Sequence, residues 1–505
     1  MKLNLRTLVL YPLISAILVS CTALQPIFLP PEYTEAPVNE GVWREIGSGN
    51  GRDWQVPLND GPSALSWRLR AIDSAEASID LQTFLWTLDT VGTKVLSRLL
   101  AAAHRGVQVK LLIDDSFLAG EDQTLLALEQ HENIEYRIYN PYKRRSGAAI
   151  TRTIFNLGEF HRLDHRMHNK AMIVDNQIAI VGGRNIADEY FGLDDSANFR
   201  DMDLLIGGPA VRKITASFDE YWNDQWSFPV HEISHVRTRE ISHDGLLPDP
   251  DTTHRYHDGL SDAGTADIWR RTVRGAFRGS VELYVDRPPV GNPDDAANAP
   301  VQVADELALL FENARREIII VSAYLIPTQR VSDALAAAVK RGVRVRILTN
   351  SIRSNNHLVA HSAYQNHVRE MLSAGVDLHE VRAEAKERHR YIVSPVAQKK
   401  LGLHAKYLII DSDLVFIGSA NLDPRSLRIN TEIGLLVRDR ALNRELRELT
   451  NPDFLRSNAW ELDITPDQKV VWIGDDITLD AQPASSVFQR IGDWFFAHLP
   501  IEGEL

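Results

Sequence analysis

Hydrophobic and polar positions along this chain follow helical and strand periods in an order that occurs twice. Each half starts with apolar residues at helical spacing, continues with a β-rich run, and then repeats this pair as a second helix and strand. A glycine follows the second helix at the position of a C-cap. The matched segments are Leu65, Leu69 and Ile72 with Val303, Leu307 and Leu310; 78–86 with 317–325; Val95, Leu99 and Ala102 with Val331, Leu335 and Ala338; and Gly106 with Gly342. This alternation predicts two α/β domains, each a mostly parallel sheet flanked by helices.

One register relates the two halves. AAAHRGVQVKLLIDDS at 101–116 matches AAVKRGVRVRILTNSI at 337–352, 236 residues later, and the same offset carries HNKAMIVD at 168–175 to HAKYLIID at 404–411. A repeat that keeps its register over so long a stretch indicates a duplication. We therefore expect the two domains to pack with pseudo-twofold symmetry.

The segment order predicts the domain boundaries. We assign a signal peptide to residues 1–20, a tether to 21–55, the first domain to 56–230, an inter-domain linker to 231–300, the second domain to 301–460 and a C-terminal extension to 461–505. The linker ends in PPVGNPDDAANAP, which is rich in turn residues.

The extension contains the sequence VFQRIGDWFFAHL at 487–499, which predicts an amphipathic helix. Its apolar stripe comprises Val487, Ile491, Trp494, Phe495 and Leu499. We favour a helix that covers the domain core over one that docks on a bilayer interface.

The N-terminal segment resembles a secretory signal. Its uninterrupted apolar run, 8–19, is about 12 residues long, shorter than the ~20 residues of a membrane-spanning helix. The tetrapeptide LVSC at 18–21 resembles the lipobox of bacterial lipoproteins, so we predict cleavage before Cys21 and lipidation of this residue, the chain's single cysteine. An uncleaved signal anchor is the alternative. We expect the protein on the periplasmic side of a bacterial membrane, and Thr22 after the cysteine favours the outer membrane.

Composition and charge narrow the class of function. The 505 residues are 44% hydrophobic and 24% charged, which is typical of a globular protein. The net charge of -13 becomes -15 once the two basic residues of the signal are removed. An acidic chain disfavours nucleic acid as the main partner, because phosphate backbones require a basic face.

The strongest chemical signal is a histidine and a lysine, two residues apart, at the start of a run that otherwise predicts buried strands. Residues i and i+2 of a strand face the same way, so His168 points with Lys170 and His404 with Lys406. Burying these four groups without partners is costly, whereas a phosphate diester among them would satisfy all four. We therefore predict a phosphodiester site between the halves. One neutral histidine attacks phosphorus, and the other, protonated, donates to the leaving oxygen.

Further polar residues near the motifs fit this chemistry. The amides of Asn185 and Asn421 are predicted to bind the non-bridging phosphate oxygens. A carboxylate on the far ring nitrogen would orient each histidine, and Asp201 and Glu432 occupy matching positions after the two motifs. Asp203 is the fallback for the first half.

Asp175 and Asp411 complete the two motifs and are grouped with the predicted catalytic residues. Each lies five residues after its lysine, and this odd spacing turns the side chain to the opposite face of a continuous strand. We therefore expect ion pairs or turn capping there.

A metal site is the alternative for one histidine cluster. His161, His165 and His168 are spaced by four and three residues, which would suit a site on a helix. However, 168–174 is predicted as strand, a charged lysine cannot ligate, and neither an HExxH sequence nor a cysteine cluster occurs. We predict no metal or other cofactor, and we place His161 and His165 at the surface or rim.

The paired motifs, with GGRN and GSAN after them, resemble the two signatures of the phospholipase D superfamily over roughly residues 56–460. HRLDHRMHNK, VGGRNIADEYFG and FIGSANLDPRSLRINTE resemble bacterial cardiolipin synthases, particularly the C type. The resemblance implies two duplicated phospholipase D-like domains with His168 and His404 as nucleophile and general acid; we assign the nucleophile to His168. It also implies that Ser419 binds phosphate through a hydroxyl that Gly183 lacks.

By the same resemblance, the reaction is a metal-independent transfer of a phosphatidyl group through a phosphohistidine. The product is cardiolipin, made from phosphatidylglycerol and a second phospholipid, with phosphatidylethanolamine as an alternative substrate. The lipid anchor would hold the enzyme on its substrate.

Three other functions fit the same residues or fold. A phospholipase D would pass the phosphatidyl group to water and release phosphatidic acid, and the outcome depends on water exclusion. A phosphodiester nuclease is disfavoured by the acidic charge and the lipid anchor. A non-catalytic lipid-binding scaffold is disfavoured because both motifs keep every expected polar group.

Overall fold

Most of both repeated halves is described by a computed structural model, which covers residues 23–34, 37–39, 41–46, 51–145, 156, 159–234, 247, 264–288 and 302–497. The predicted signal peptide and Cys21 lie outside the described residues. The strands of the first half are β1 (Trp54–Leu58), β2 (Ser78–Thr83), β3 (Gln108–Asp114), β4 (Ile134–Tyr139), β5 (Ala171–Val174), β6 (Ile178–Gly182), β7 (Ala197–Arg200), β8 (Asp203–Gly207) and β9 (Ser227–Pro229). Its helices are α1 (Gly41–Ile46), α2 (Gly61–Asp73), α3 (Thr90–His104), α4 (Asp122–Glu129), α5 (Phe160–Asp164), α6 (Ala210–Trp222) and α7 (Val230–Ile233).

The second half repeats this order. Its strands are β10 (Ser280–Val285), β11 (Glu317–Ser322), β12 (Arg344–Asn350), β13 (Asp377–Val381), β14 (Lys400–Leu403), β15 (Lys406–Ile410), β16 (Leu414–Gly418), β17 (Ile433–Arg438), β18 (Ala459–Ile464), β19 (Val470–Ile473) and β20 (Thr478–Leu479). The helices from the predicted linker onward are α8 (Thr265–Gly275), α9 (Gln302–Asn313), α10 (Gln329–Lys340), α11 (Leu358–Ser373), α12 (Pro424–Arg428), α13 (Arg440–Thr450) and α14 (Val487–Ala497).

Each half contains one large sheet, and the two sheets share a central topology. The strand orders are β1-β8-β6-β5-β2-β3-β4-β9 and β10-β17-β16-β15-β11-β12-β13-β18-β19-β20. Within the described strands of these sheets, the parallel neighbours are β2-β3-β4 and β11-β12-β13, and the remaining neighbours are antiparallel. The two duplicated α/β halves are confirmed. The expectation of mostly parallel sheets is wrong, because each sheet is mixed.

The antiparallel pairing follows from the motif strands. β5 and β6 are joined by the turn 175–177, in which Asp175 and Asn176 have positive φ angles of 52° and 53°. The turn 411–413 joins β15 to β16 in the same way, with Asp411 at φ 49°. So short a connection can join only antiparallel neighbours, because a parallel crossover needs a dozen or more residues.

Helices on the outer faces begin and end close to the predicted positions. The side chain of Asp60 caps α2 by accepting a hydrogen bond from the backbone N–H of Ser63. After α3 and α10 the chain turns at Gly106 and Gly342, whose φ angles of 96° and 87° favour glycine. Both helices therefore end where the C-cap glycines predict.

A common hydrophobic core connects the two sheets. One cluster of buried residues includes Ile173 and Leu204 from the first sheet and Ile409 and Leu435 from the second. Separate apolar clusters lie under α2, α3 and α4 in the first half and under α9, α10 and α11 in the second. The halves therefore pack sheet to sheet, with helices outside, as the expected pseudo-twofold arrangement requires.

Parts of the predicted linker and extension belong to the folded halves. Trp269 of α8 is buried, and its ring contacts Trp43 and Trp67 of the first half at centroid distances of 5.5 and 5.1 Å. β10 pairs with β17 at the edge of the second sheet. At the other edge, β19 and β20 extend the same sheet beyond residue 460.

The C-terminal helix α14 turns its apolar side outward, which is opposite to the favoured prediction. Its apolar side chains are exposed, while Asp493 is buried against α11. The expectation that this stripe covers the domain core is therefore wrong for the residues described; Leu499 lies outside them. The exposed side chains are Val487, Phe488, Ile491, Trp494 and Phe495. Within the described residues, no helix is both long and apolar enough to cross a membrane.

Candidate active site

The two motif histidines lie where the halves meet, and the backbone of the opposite half holds each one. The N–H of His168 donates to the carbonyl of Thr431 at 2.9 Å, and the N–H of His404 donates to the carbonyl of Arg200 at 2.9 Å. β14, which precedes His404, pairs in parallel with β7 of the first half. These contacts are reciprocal, as a pseudo-twofold arrangement requires.

Each motif histidine is hydrogen-bonded to a carboxylate that belongs to the opposite half. His168 Nδ1 lies 2.9 and 3.0 Å from the two carboxylate oxygens of Glu432, and His404 Nδ1 lies 2.7 Å from Oδ2 of Asp201. The sequence identified both carboxylates but matched each to its own half, and the structure corrects this pairing. The fallback Asp203 instead forms ion pairs with Arg68 and Arg184, at 2.9 and 3.1 Å.

The two carboxylates are supported differently. The hydroxyl of Ser419 donates to Glu432 and accepts from the N–H of Ile433. At the matching position in the first half, a Cβ built on Gly183 would overlap Oδ1 of Asp201. Gly183 therefore makes room for Asp201, whereas Ser419 adds a hydrogen bond to Glu432. The phosphate-binding role of Ser419 stays a prediction.

Burial favours the neutral form of the two imidazoles. Because a carboxylate only accepts, Nδ1 of each ring carries the proton and Nε2 keeps its lone pair. Burial lowers the pKa of His168, and burial together with Lys406 lowers the pKa of His404 to about 3. Burial alone would raise the pKa of Asp201 and Glu432, but the histidine and lysine beside each carboxylate lower it. Each histidine therefore has the tautomer of a nucleophile.

The two lysines lie in the same electrostatic environment. Lys170 Nζ donates to the carbonyl of His168 at 2.5 Å, and Lys406 does the same to His404. Burial lowers the pKa of Lys170 to about 7 and that of Lys406 to about 8. Each lysine also lowers the pKa of the histidine in the opposite half. The four motif side chains therefore form one site, as the repeat predicts.

Asn185 and Asn421 each keep a buried polar atom without a partner. The Oδ1 atom of each side chain is buried and accepts no hydrogen bond. Since buried polar atoms are almost always paired, these two positions are suited to a polar ligand. A half-turn of either amide would present its N–H₂ group to a phosphate oxygen. Their predicted role in phosphate binding stays a prediction that this observation supports.

Asp175 and Asp411 cap the backbone and have no contact with the histidines. The carboxylate of Asp175 accepts from the N–H groups of residues 76–78 and from the indole of Trp43. Asp411 accepts from the N–H groups of residues 315–317. The expected turn capping is therefore confirmed. Both aspartates anchor the motif strands at their far ends, so they are positioning residues rather than chemical groups.

Three aromatic residues that the sequence reasoning missed surround the histidines. The Phe84 ring lies 5.0 Å from His168, and the rings of Tyr190 and Phe199 lie 4.8 and 5.5 Å from His404. Phe84 lies just beyond β2, and Tyr190 is in the segment that follows the first motif. All three residues lie near the ends of elements that flank the motifs, and this position in the sequence could have identified them.

A cavity of about 280 Å³ is lined by Phe84, whose ring contacts His168. Its walls include Phe84, Phe117 and Phe160 together with the guanidinium groups of Arg166 and Arg425. Both guanidinium groups are already paired, Arg166 with Asp114 and Arg425 with Asp164, and Asp164 also lines the cavity.

The metal alternative gains no support from the geometry. Within the described residues, no group of three or more His, Cys, Asp and Glu side chains is arranged to hold a metal ion. Nδ1 of His165 contacts the carbonyl of His161 at 2.9 Å, and His161 is exposed. These two histidines lie at the surface or rim, as predicted.

Two copies of one α/β domain, each supplying a His-x-Lys motif to a shared site, define a phospholipase D-like protein. The family model described as "Cardiolipin synthase, PLD-like domain" matches residues 69–222 and 307–453, one match in each half. The chain therefore belongs to the cardiolipin synthase family of phospholipase D-like proteins.

Individual relatives agree with this assignment. The chain is 32% identical over 469 residues to cardiolipin synthase C of Escherichia coli, covering 88% of this chain and 95% of that protein. Cardiolipin synthase B of the same species is 25% identical over 91% of this chain and 92% of its own length. The crystal structure of phosphatidylserine synthase from Haemophilus influenzae matches with a TM-score of 0.57 at 14% identity, covering 85% of this chain and 92% of that one. This last similarity shows the fold.

Proposed function

We propose that this protein makes cardiolipin from phosphatidylglycerol and a second phospholipid by metal-independent phosphatidyl transfer. The observation that carries the proposal is the pair of buried imidazoles, each held at Nδ1 by a carboxylate from the opposite half. Two lysines and two amides with unpaired buried oxygens lie beside them. The relatives named cardiolipin synthase supply the lipid class.

The reaction proceeds in two displacements. Nε2 of His168 attacks the phosphorus of phosphatidylglycerol while the bond to the glycerol headgroup breaks. His404, which gains its proton when the anionic substrate enters, donates it to the leaving oxygen. The headgroup hydroxyl of a second phosphatidylglycerol then gives its proton to His404 and attacks the phosphohistidine. Phosphatidylethanolamine has no headgroup hydroxyl, so it could take part only as the donor, with ethanolamine as the leaving alcohol. The lysines neutralise the charge that develops on the phosphate.

One phosphodiester is exchanged for another, so the reaction needs no nucleotide. This agrees with the proposed location on the periplasmic side of a bacterial membrane, with Cys21 lipidated and the outer membrane favoured. Radiolabelled palmitate incorporation in the wild type, compared with Cys21→Ser, tests the lipid anchor. Equal labelling in both forms would refute it.

The function is tested with purified full-length protein and labelled phosphatidylglycerol, with and without phosphatidylethanolamine, followed by lipid analysis. We expect cardiolipin that resists EDTA and disappears in His168→Ala and His404→Ala. A labelled acid-labile, base-stable adduct should remain in the variant that lacks the general acid. Peptide mapping of that adduct identifies the nucleophile.

Two results would contradict the proposal. Phosphatidic acid as the sole product would show that water is the acceptor and that the enzyme is a hydrolase. Turnover abolished by EDTA and restored by a divalent cation would show that the histidines do not act alone.

A further inference from the structure

The outer face of α14 is the most apolar exposed surface in the described part of the chain. Of the thirteen large hydrophobic side chains exposed there, five lie on this eleven-residue helix, with Phe488 84% and Ile491 56% exposed. Their spacing places them along one side of the helix. Contiguous exposed apolar surface of this kind usually marks an interaction site.

Buried polar contacts fix the orientation of the helix. Asp493 is only 4% exposed and lies 2.9 Å from Nδ1 of His361, and the hydroxyl of Ser362 donates to it at 2.8 Å. The amide of Gln489 donates to the carbonyl of Ile352 at 2.8 Å. Rotating α14 to bury its apolar side would leave the Asp493 carboxylate and its partners unsatisfied. The outward apolar face is therefore built into the packing.

The helix lies beside a loop that leads to the catalytic site. This loop, 351–357, touches α14 through Ile352, and the carbonyl of Ser354 approaches Gly402 in the strand before His404. At the other end of the loop, the ring of His357 lies 5.6 Å from that of Tyr324, whose hydroxyl donates to Asn356. One loop thus connects α14 with the strand that carries a catalytic histidine.

Exposed basic residues lie at the start of β14, two residues before Gly402, which the loop 351–357 approaches. Lys399 and Lys400, at the start of β14, are exposed, as is His389 a few residues earlier. Lys386 is exposed too, but it pairs with Asp475 and adds no free charge. The whole chain carries a net charge of -13, so this basic segment is a local exception. A cationic strip beside an aromatic helix face complements a surface of anionic headgroups over acyl chains.

We propose that the outer face of α14 and the basic start of β14 form a docking surface for an anionic phospholipid bilayer. The inference rests on the proposed function in one respect: the catalytic site takes lipids, which reside in such a surface. Phe and Trp are well suited to the boundary between headgroups and acyl chains. One side of a three-turn helix offers roughly a few hundred Å², below the ~800 Å² per partner of a stable protein interface.

The first test reads insertion at one position of the full-length chain. Because Cys21 is the only cysteine, Cys21→Ser with Phe488→Cys allows a single environment-sensitive fluorophore to be attached. The protein is mixed with vesicles of phosphatidylglycerol and phosphatidylcholine, with or without spin-labelled lipid. We expect a blue shift and severalfold quenching at position 488, and neither at the matched control Leu455→Cys, which is also exposed.

The second test separates docking from chemistry. Phe488→Ser with Ile491→Ser should lower turnover on vesicles at least about tenfold, because two large apolar anchors are lost. Turnover on short-chain, monomeric phosphatidylglycerol should be unchanged. The matched control, Leu309→Ser with Leu455→Ser, removes two exposed apolar groups outside α14, which are 45% and 50% exposed, and should leave both activities unchanged.

The outcomes distinguish this inference from the proposed function. If the wild type makes no cardiolipin but the probe at position 488 of the labelled variant is quenched, the function is refuted and the docking surface is supported. A probe at position 488 that does not respond to vesicles would refute the docking surface whatever the activity. A blue shift that appears without vesicles as the protein concentration rises would also refute it, because the face would then bind a second copy of the chain.

Discussion

Replacing Asp201 with asparagine tests the exchange of carboxylates directly. The amide has the same shape, and its oxygen can still accept from the N–H of Met202, which donates to Asp201 at 2.7 Å. Its N–H₂ group then faces Nδ1 of His404. That nitrogen must become the acceptor, so the proton of the neutral ring moves to Nε2. The neutral ring is a much weaker acid than the imidazolium that Asp201 stabilises, and with Nε2 already protonated it cannot accept a proton in the second displacement.

The expected loss follows from the buried geometry. The bond between His404 Nδ1 and Asp201 is 2.7 Å long, and both groups are buried. A hydrogen bond to a charged group contributes about 1.5–3 kcal/mol, which by itself corresponds to about 10- to 100-fold. The wrong tautomer adds to this, and the equivalent change in a serine protease triad costs about 10⁴-fold in kcat. We therefore expect kcat to fall about 10²- to 10⁴-fold.

The assay measures cardiolipin formation in vesicles and compares thermal unfolding. The matched control is Asp423→Asn, because Asp423 is also buried near the site but caps α12 through the N–H of Ser426. Burial raises the pKa of Asp423 to about 7, and asparagine caps helices well, so its kcat should change less than about threefold. The reasoning fails if Asp201→Asn keeps a kcat within about threefold of the wild type.

Three further predictions concern the supporting residues. Gly183→Ala should lower kcat at least about tenfold while the chain still folds, because the new methyl group displaces Asp201; an unchanged kcat would show that the site can relax. Asp411→Ala should destabilise the fold by about 2–4 kcal/mol in urea titrations, since three backbone N–H groups lose their acceptor, with kcat per folded molecule unchanged and partial rescue by Asp411→Asn. On monomeric substrate, KM should rise as the pH increases through about 7 and about 8, the pKa values of Lys170 and Lys406, because the ammonium groups that bind phosphate are lost; a KM that stays flat through this range would exclude them as phosphate ligands.

The sequence predicted which motif residues lie together because a buried charge is unusual and a repeated one is rarer. His168 and Lys170 stood out in an apolar run, and their copies 236 residues later implied one shared site. For the aspartates of the motifs, the odd spacing predicted ion pairs or turn capping, and the structure shows capping, although they were also grouped with the catalytic residues. These inferences depend on local geometry, which the order of residues along a strand determines.

The parts that the sequence missed depend on contacts between distant segments. Asp201 and Glu432 were found by alignment of the repeats, but a repeat cannot show that each carboxylate crosses to the other half. The same limit applies to α14. Its periodicity predicted an amphipathic helix correctly, but the side that packs was decided by Asp493 finding His361 and Ser362, more than a hundred residues away in sequence.

The exchanged carboxylates make the interface between the halves part of the catalytic site. His168 requires Glu432 and His404 requires Asp201, so separating the halves would leave both carboxylates without their imidazole partners. Removing one partner of a buried pair costs about 3–5 kcal/mol, because the remaining charge is uncompensated. The reciprocal pairs therefore hold the halves in register, and the same contacts set the tautomer that the chemistry needs. Any motion that opened the interface would separate each imidazole from the carboxylate that sets its tautomer, so the site can work only while the halves stay together.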